Sequence, residues 1–168
     1  MLNNRLLLVD VNVTIYTDGA AKGNPGPGGY GTILMSGVHS KELSGGYVLT
    51  TNNRMELLAV IIGLEALKKE PCNVTIFSDS QYVVDAVEKN WVQSWYRNDF
   101  KKKKNKDLWI RYLNVAQKHS IKFVWVKGHN GNIYNERCDR LAVQAAESSN
   151  LKEDTWYIQN VSNEENIL

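Results

Sequence analysis

The stretch Val13-Thr-Ile-Tyr-Thr17 decides the fold, because its β-branched and alternating side chains are typical of a strand with one buried face. A turn rich in glycine and proline, Gly23-Asn-Pro-Gly-Pro-Gly-Gly29, follows it. Further strands are predicted at residues 30–35 and within residues 41–49, separated by the turn Ser36-Gly37. Because the connections are short, we predict that the three strands form an antiparallel meander.

Beyond residue 50 the apolar pattern changes to the helical period. Residues 53–70 are predicted to form a helix, with Asn53 and Glu56 spaced as a capping box and Pro71 ending it. We therefore predict an α/β fold: a mixed five-stranded sheet, the meander followed by alternating helices and parallel strands, with helices on both faces. The remaining predicted elements are a strand at 74–77, a helix from near Ser80, a helix at 107–119, a strand at 121–126 and a helix at 135–147.

The 168 residues have the composition of one globular domain, with 43% hydrophobic and 23% charged residues. We predict a single domain spanning 1–168, with a core at about 13–157 and a flexible acidic tail at 158–168. No apolar run approaches the roughly 18 residues of a membrane span, and the start lacks a signal-peptide pattern. Cys72 and Cys138 form no C-x-x-C pair, which argues against zinc-ribbon and thioredoxin-like sites and favours a cytoplasmic location.

Charge is unevenly distributed, although the net charge is only +2. Residues 97–106 contain six cations against Asp99 alone, whereas residues 147–168 contain five acids against Lys152 alone. A concentrated basic run is typical of a phosphate-binding surface, but a solvated loop would have the same composition.

Two acids come directly after predicted strands, Asp18 after the first and Asp79 after the strand at 74–77. We predict that the strands at Val13 and Val74 are parallel neighbours, joined by crossover connections. Neighbouring strands lie about 4.8 Å apart, and the acids would then share the edge where ligands bind. Carboxylates that close repel each other unless a cation lies between them, and Mg²⁺ takes such ligands. Each acid alone also has an ordinary explanation: Asp79 as an N-cap, Glu56 as the capping-box residue, and Asp139 as an exposed helical residue.

His129 lies in the loop Gly128-His-Asn-Gly-Asn-Ile-Tyr-Asn135, without apolar neighbours, a setting typical of acid–base groups. The segment Gly26-Pro-Gly-Gly-Tyr-Gly31 matches the dinucleotide fingerprint G-x-G-x-x-G. That fingerprint requires a helix after it, whereas a strand is predicted here, and no G-K-[ST] motif is present. We therefore reject both kinds of nucleotide-binding loop.

Taken together, these segments resemble type 1 ribonuclease H from about residue 14 to residue 157. Chance does not produce several long motifs in the family's order. The motifs are Tyr16-Thr-Asp-Gly-Ala20, Gly23-Asn-Pro-Gly-Pro-Gly-Gly-Tyr-Gly31, Thr51-Asn-Asn-Arg-Met-Glu56, Ser78-Asp-Ser-Gln-Tyr-Val83, Trp125-Val-Lys-Gly-His129 and Asn135-Glu-Arg-Cys-Asp-Arg-Leu-Ala142.

The resemblance implies an endonuclease that hydrolyses the RNA strand of RNA–DNA hybrids with two Mg²⁺ ions and leaves 5′-phosphomonoesters, with Mn²⁺ as a substitute metal. It maps the family's metal-binding catalytic acids onto Asp18, Glu56, Asp79 and Asp139, and its mobile catalytic histidine onto His129. Asp18 is expected to bridge both metals, with Glu56 and Asp79 completing one site and Asp139 the other. A monomer without membrane association or an obligatory protein partner is expected.

The resemblance also implies three groups of substrate contacts. The first reaches the minor groove of the hybrid, the second holds a phosphate of the DNA strand, and the third forms a basic protrusion at residues 91–106. The stretch between Trp95 and Trp109 is shorter than in long-handled bacterial members, which affects the reach of the protrusion and not its charge. The minor-groove contacts are Asn24, Asn52 and Gln81, and the phosphate contacts are Thr51 and Asn53. The residues of the protrusion that would hold the DNA strand are Trp91, Trp95, Lys101, Lys102, Lys103 and Lys104.

Three alternatives stand beside this interpretation. Transposases, integrases and junction resolvases share the acid-and-metal scaffold, but are expected to lack the matches at Thr51-Asn-Asn-Arg-Met-Glu56 and Gly128-His129. A non-catalytic nucleic-acid-binding module would be favoured by the loss of one acid, whereas all four are present. An α/β domain whose basic loop binds nothing would be excluded by hybrid binding at moderate salt.

Overall fold

The computed structural model of the protein describes residues 11–165, and the side chains of residues 11–161. The strands are β1 (Val11–Ala21), β2 (Gly26–Ser36), β3 (His39–Thr50), β4 (Cys72–Ser78) and β5 (Ser120–Trp125). The helices are α1 (Asn52–Glu65), α2 (Gln81–Glu88), α3 (Trp91–Arg97), α4 (Lys106–Ala116), α5 (Ile133–Glu147) and α6 (Thr155–Glu165).

The strands form one mixed sheet in the order β3-β2-β1-β4-β5. The first three are antiparallel, as the short connections predict, and β4 and β5 add to β1 in parallel. Val13 pairs with Val74 and Thr17 with Ser78, so the predicted parallel neighbours are confirmed. The predicted fold class is therefore correct, and the segments that precede Asp18 and Asp79 lie side by side.

Helices cover both faces of the sheet. On one face, Ile15 is fully buried, and the Thr32 hydroxyl donates a hydrogen bond to the Ala59 carbonyl of α1 at 2.7 Å. On the other face, a Cβ on Gly31 would lie 2.3 Å from the Cys138 carbonyl oxygen of α5. Glycine therefore lets the α5 backbone approach the sheet. Asp18 pairs directly with Gly31, so its side chain is on the α5 face.

Several element ends differ from the predictions. β1 continues through Asp18 to Ala21, because its pairing with β2 extends beyond the end of its pairing with β4. The predicted turn at residues 23–29 is shorter, since β2 already begins at Gly26. Helix α1 ends at Glu65, before Pro71. The segment between Lys89 and Asp107 also contains a separate helix, α3.

Two capping interpretations are wrong. Thr51, and not Asn53, caps α1, and its hydroxyl accepts from the Arg54 amide at 3.3 Å. This places Glu56 in the second turn of α1, beyond reach of a capping box. Ser80, and not Asp79, caps α2, because its hydroxyl accepts from the Val83 amide. Neither Glu56 nor Asp79 therefore caps a helix.

Part of the predicted tail is helical at the end of the described chain. Helix α6 runs from Thr155 to Glu165. Asp154 starts it, because the Tyr157 amide donates to its carboxylate at 3.4 Å and the Ile158 amide to its carbonyl at 3.0 Å. The predicted tail residues 166–168 lie outside the described residues. No helix within residues 11–165 combines the length and apolarity that crossing a membrane requires.

Candidate active site

Three carboxylates converge at the end of the parallel strands. Asp18, Glu56 and Asp79 each offer an oxygen, and these atoms lie within 4.8 Å of one another. Asp18 comes from β1, Glu56 from α1, and Asp79 follows β4 directly. Asp18 and Glu56 are each only 5% exposed, and Asp79 is half-buried. The predicted proximity of Asp18 and Asp79 is confirmed, and Glu56 joins them.

The electrostatics of this cluster favour a bound cation. Burial and the Asp79 charge raise the pKa of Asp18 to about 8. Burial and the Asp18 charge raise the pKa of Glu56 well above its ordinary value, and burial raises the pKa of Asp79. Glu56 Oε2 is buried and has no hydrogen-bond partner among the described residues. Crowded carboxylates with one unpartnered oxygen fit a hard divalent cation, which would offset their repulsion.

Backbone and ring donors orient the cluster. The Gly19 amide donates to Asp18 Oδ1 at 2.8 Å. The Trp125 indole donates to the Asp79 carbonyl at 3.1 Å, which fixes the backbone on which this carboxylate is carried. These hydrogen bonds restrain the Asp18 carboxylate and the backbone of Asp79.

Asp139 flanks the cluster without joining it. It lies on α5 and is half-buried. Its charge raises the pKa of both Asp18 and Asp79, so it is near both carboxylates. Its own oxygens are outside the group that lies within 4.8 Å. The structure therefore brings three of the four predicted acids together and leaves the fourth beside them.

The loop that carries His129 lies against Asp79. A Cβ on Gly128 would be 2.6 Å from Asp79 Oδ2, so a larger residue at this position would displace the Asp79 carboxylate. His129 is exposed, has a left-handed φ of 53°, and its charge lowers the pKa of Asp79. Asn135, which is 3% exposed, also lowers that pKa by a side-chain hydrogen bond. No role was predicted for Asn135, although it begins the motif Asn135-Glu-Arg-Cys-Asp-Arg-Leu-Ala142 that is shared with ribonuclease H.

The residues predicted to contact the minor groove and the DNA phosphate gather around the start of α1. Asn24 Oδ1 accepts a hydrogen bond from the Asn52 amide at 3.0 Å, and Thr51 caps the helix. Asn53 is exposed in the first turn of α1, and Gln81 is exposed at the start of α2. Four of these residues therefore lie at or against the start of α1, and Gln81 lies at the start of α2, two residues after Asp79.

The predicted basic protrusion consists of α3 and a loop, residues 98–105, which we call the basic loop. The Trp91 and Trp95 rings lie 6.4 Å apart, and Lys103 Nζ is 5.2 Å from the Trp95 centroid. Lys101, Lys102, Lys103 and Lys104 are exposed. Asp99, Phe100, Lys102 and Asn105 have φ between 52° and 63°, and Phe100 is 4% exposed, so the loop has a specific backbone shape.

A buried ion network was missed by the sequence analysis. Arg54, 2% exposed, donates to Asp154 at 2.6 and 2.9 Å and to Asp107 at 2.7 and 2.9 Å. Its Cζ lies 5.1 Å from the Trp156 ring centroid and 5.8 Å from that of Tyr157. The hydrogen bonds to both acids raise the Arg54 pKa despite burial. A cation in the first turn of a helix whose residues 57–64 are all apolar or glycine was the available signal.

Comparison with known proteins identifies the family. A family model described as RNase H matches residues 10–147. The ribonuclease H of Syntrophus aciditrophicus (strain SB) is 58% identical over 150 residues, covering 86% of this chain and 86% of that protein. The ribonuclease H of Trichodesmium erythraeum (strain IMS101) is 55% identical over 150 residues, covering 86% of this chain and 95% of that protein.

Solved structures agree with this result. LC9-RNase H1, a type 1 RNase H with the type 2 active-site motif, matches with a TM-score of 0.75 and 30% identity, over 82% of this chain and 73% of that one. LC11-RNase H1, crystallised with an RNA/DNA hybrid, matches with a TM-score of 0.63 and 26% identity, over 80% and 96% of the two chains. Since the family model spans most of the chain and both relatives are more than half identical to it, the chain belongs to the ribonuclease H family.

Proposed function

We propose that this ribonuclease H hydrolyses the RNA strand of RNA–DNA hybrids at the Asp18–Glu56–Asp79 cluster, with Asp139 as the fourth acid. Family membership supports the reaction and the substrate. One observation carries the assignment of the site: three carboxylates converge within 4.8 Å, and a buried oxygen of Glu56 has no partner among the described residues.

Two Mg²⁺ ions are the proposed cofactors, with Mn²⁺ as a substitute. Asp18, Glu56 and Asp79 would hold one ion, and Asp18 with Asp139 the other. When bound, the ions supply a nucleophilic water and neutralise charge on the leaving oxygen of an in-line displacement. The chain itself keeps the carboxylates converged by burial and by the hydrogen bond from Gly19 to Asp18.

The proposed substrate surface has three groups of contacts besides the cluster. Asn24, Asn52 and Gln81 are proposed to read the minor groove, where contacts to 2′-hydroxyls distinguish RNA from DNA. Thr51 and Asn53 are proposed to hold a DNA-strand phosphate. The basic loop, supported by Trp91 and Trp95, is proposed to hold the DNA strand further along.

The direct test uses labelled RNA–DNA hybrid, duplex RNA and duplex DNA, each incubated with Mg²⁺, Mn²⁺ or EDTA. We expect cutting of only the RNA strand of the hybrid, in either metal and not in EDTA, with 5′-phosphate ends on the products. Cleavage in EDTA would contradict the metal site, and equal cleavage of duplex RNA would contradict the substrate.

We expect His129→Ala to slow cleavage without eliminating it. Its imidazole is exposed and its charge acts on Asp79, which supports the proposal that it transfers a proton at the reacting phosphate. Such a role contributes about 10²–10⁴-fold. The carboxylates remain, so metal binding should persist. Values of kcat and KM at saturating Mg²⁺ are the measurement, with exposed His39→Ala as the matched control. A kcat within about twofold of the parent would mean that His129 contacts only solvent; complete inactivity with weakened metal binding would make it a ligand.

Replacing Lys101, Lys102, Lys103 and Lys104 with alanine should raise KM more than it lowers kcat. Each phosphate neutralised releases about 0.9 counterion on B-form DNA, so the salt dependence of hybrid binding should also become shallower. The control replaces four other exposed lysines, Lys68, Lys69, Lys118 and Lys122, with the same change in net charge. If both variants alter the salt slope equally, the basic loop has no special role.

We also propose that the enzyme acts as a monomer in the cytoplasm. One chain supplies all four acids, His129 and the basic loop. Cys72 and Cys138 are both free and buried, which supports a reducing compartment. Light scattering at the concentration of the activity assay tests the oligomeric state, and a dimer would contradict the proposed monomer.

A further inference from the structure

Asp154 connects the C-terminal helix to the segment that begins α1. Its carboxylate accepts two hydrogen bonds from Arg54, at 2.6 and 2.9 Å, and one from the Thr50 hydroxyl at 2.8 Å. Thr50 and Arg54 immediately flank residues 51–53, for which we propose contacts with the hybrid. One carboxylate that is 6% exposed therefore holds both ends of that segment.

The same guanidinium reaches the end of the basic loop. Arg54 Nη1 donates to Asn105 Oδ1 at 3.3 Å, and Asn105 Nδ2 donates to the Tyr82 hydroxyl at 3.0 Å. Asn105 has a left-handed φ of 63° and is 7% exposed. Asp154 and Asp107 accept the remaining hydrogen bonds of the Arg54 guanidinium. These two acids therefore fix the orientation of the guanidinium, and with it the N–H group that binds Asn105.

We propose that Asp154 is a positioning residue for hybrid binding, acting through Thr50 and Arg54 on residues 51–53 and on the end of the basic loop. This inference rests on the proposed function, because it concerns the same substrate surface. Asp154 lies beyond residues 10–147, which the family model matches, so family membership does not assign it a role. A fully satisfied buried network specifies one arrangement, and loss of one member frees the others.

Asp154→Asn tests this role, because it keeps the side-chain shape and removes the charge. We expect KM for a hybrid to rise about five- to tenfold while kcat stays within about twofold, since a positioning residue that does not touch the ligand modulates binding by this order. Amide hydrogen exchange at residues 51–53 should accelerate. Glu153→Gln is the matched control: it is the adjacent acid, loses the same charge and is exposed, so KM and exchange should not change.

Two further variants separate positioning from a loss of stability. Thr50→Val removes one hydrogen bond to Asp154 without uncovering a charge, and should raise KM by a smaller factor. Asp154→Glu keeps the charge and should return KM toward the parental value. All assays are run at a temperature where circular dichroism shows each variant folded. An Asp154→Asn protein that melts earlier but has parental KM would overturn the inference, and so would a fall in kcat alone.

The lysine variant distinguishes failure of this inference from failure of the proposed function. If replacing Lys101–Lys104 by alanine raises KM and Asp154→Asn does not, the inference is wrong and the proposed contacts stand. If neither variant raises KM, the proposed substrate surface is wrong, and the inference falls with it.

Discussion

Asp18→Asn is expected to abolish hybrid cleavage, with kcat at least about 10³-fold below the parent, or about 4 kcal/mol of transition-state stabilisation. Asp18 is the carboxylate shared by both proposed ion positions, and an amide oxygen carries no charge with which to neutralise them. Hybrid binding should persist, because the basic loop and residues 51–53 are unaltered. A gel assay of labelled hybrid with Mg²⁺ measures cleavage, and a mobility-shift assay measures binding.

Asp85→Asn is the matched control for this variant. Asp85 lies on α2, its carboxylate pairs at 3.3 Å with Lys89, and it is not a member of the carboxylate cluster. The same chemical change there should leave kcat and KM unchanged. Mg²⁺-dependent cleavage at a near-parental rate by Asp18→Asn would contradict the proposed metal site.

The Asp18→Asn protein should also be more stable than the parent in EDTA. The folded state raises the pKa of Asp18 from 3.8 to about 8. Ionisation of Asp18 therefore lowers the free energy of unfolding of the parent progressively as pH rises through this interval. Asparagine does not ionise and escapes that loss. The difference in melting temperature should therefore be small near about pH 4 and grow toward about pH 8. A difference that does not change with pH would contradict the repulsion within the cluster.

Arg54→Ala is expected to lower the free energy of unfolding by about 3–5 kcal/mol, because it leaves two carboxylates in a largely buried network without their cation. For a chain of this length, the melting temperature should fall by about 10 °C. Asp154 is buried, and the Asp107 side chain is 22% exposed, so water solvates them poorly. Urea denaturation followed by circular dichroism measures the change.

Arg111→Ala is the control, because it removes an arginine with a similar two-point contact. Arg111 donates to Glu65 at 2.6 and 2.7 Å, but both side chains are substantially exposed. Exposed ion pairs contribute about 1 kcal/mol or less. Equal losses in the two variants would show that burial of the Arg54 network does not determine its contribution.

Local pattern was sufficient for the order and type of most elements. The alternation at residues 13–17 and the helical period after residue 50 each depend on neighbours within a few positions, so a single sequence displays them. The parallel pairing of β1 with β4 was predicted from the alternation of helix and strand after the meander, and it explains why Asp18 and Asp79 meet. The motifs shared with ribonuclease H supplied the roles of Glu56 and Asp139, which their local surroundings alone did not distinguish from ordinary residues. His129 was already a candidate from its loop.

Long-range contacts decided the rest. Whether Glu56 caps its helix or faces Asp18 depends on where α1 starts, and the side chain of Asn24, 28 residues from Asn52, accepts a hydrogen bond at that start. Helix α6 is anchored because Asp154 meets Arg54 across 100 residues of sequence. No local period of the sequence encodes such a pairing, because the ion pair forms only when folding buries both charges together. For this reason the Arg54 network and helix α6 were visible only in the tertiary structure.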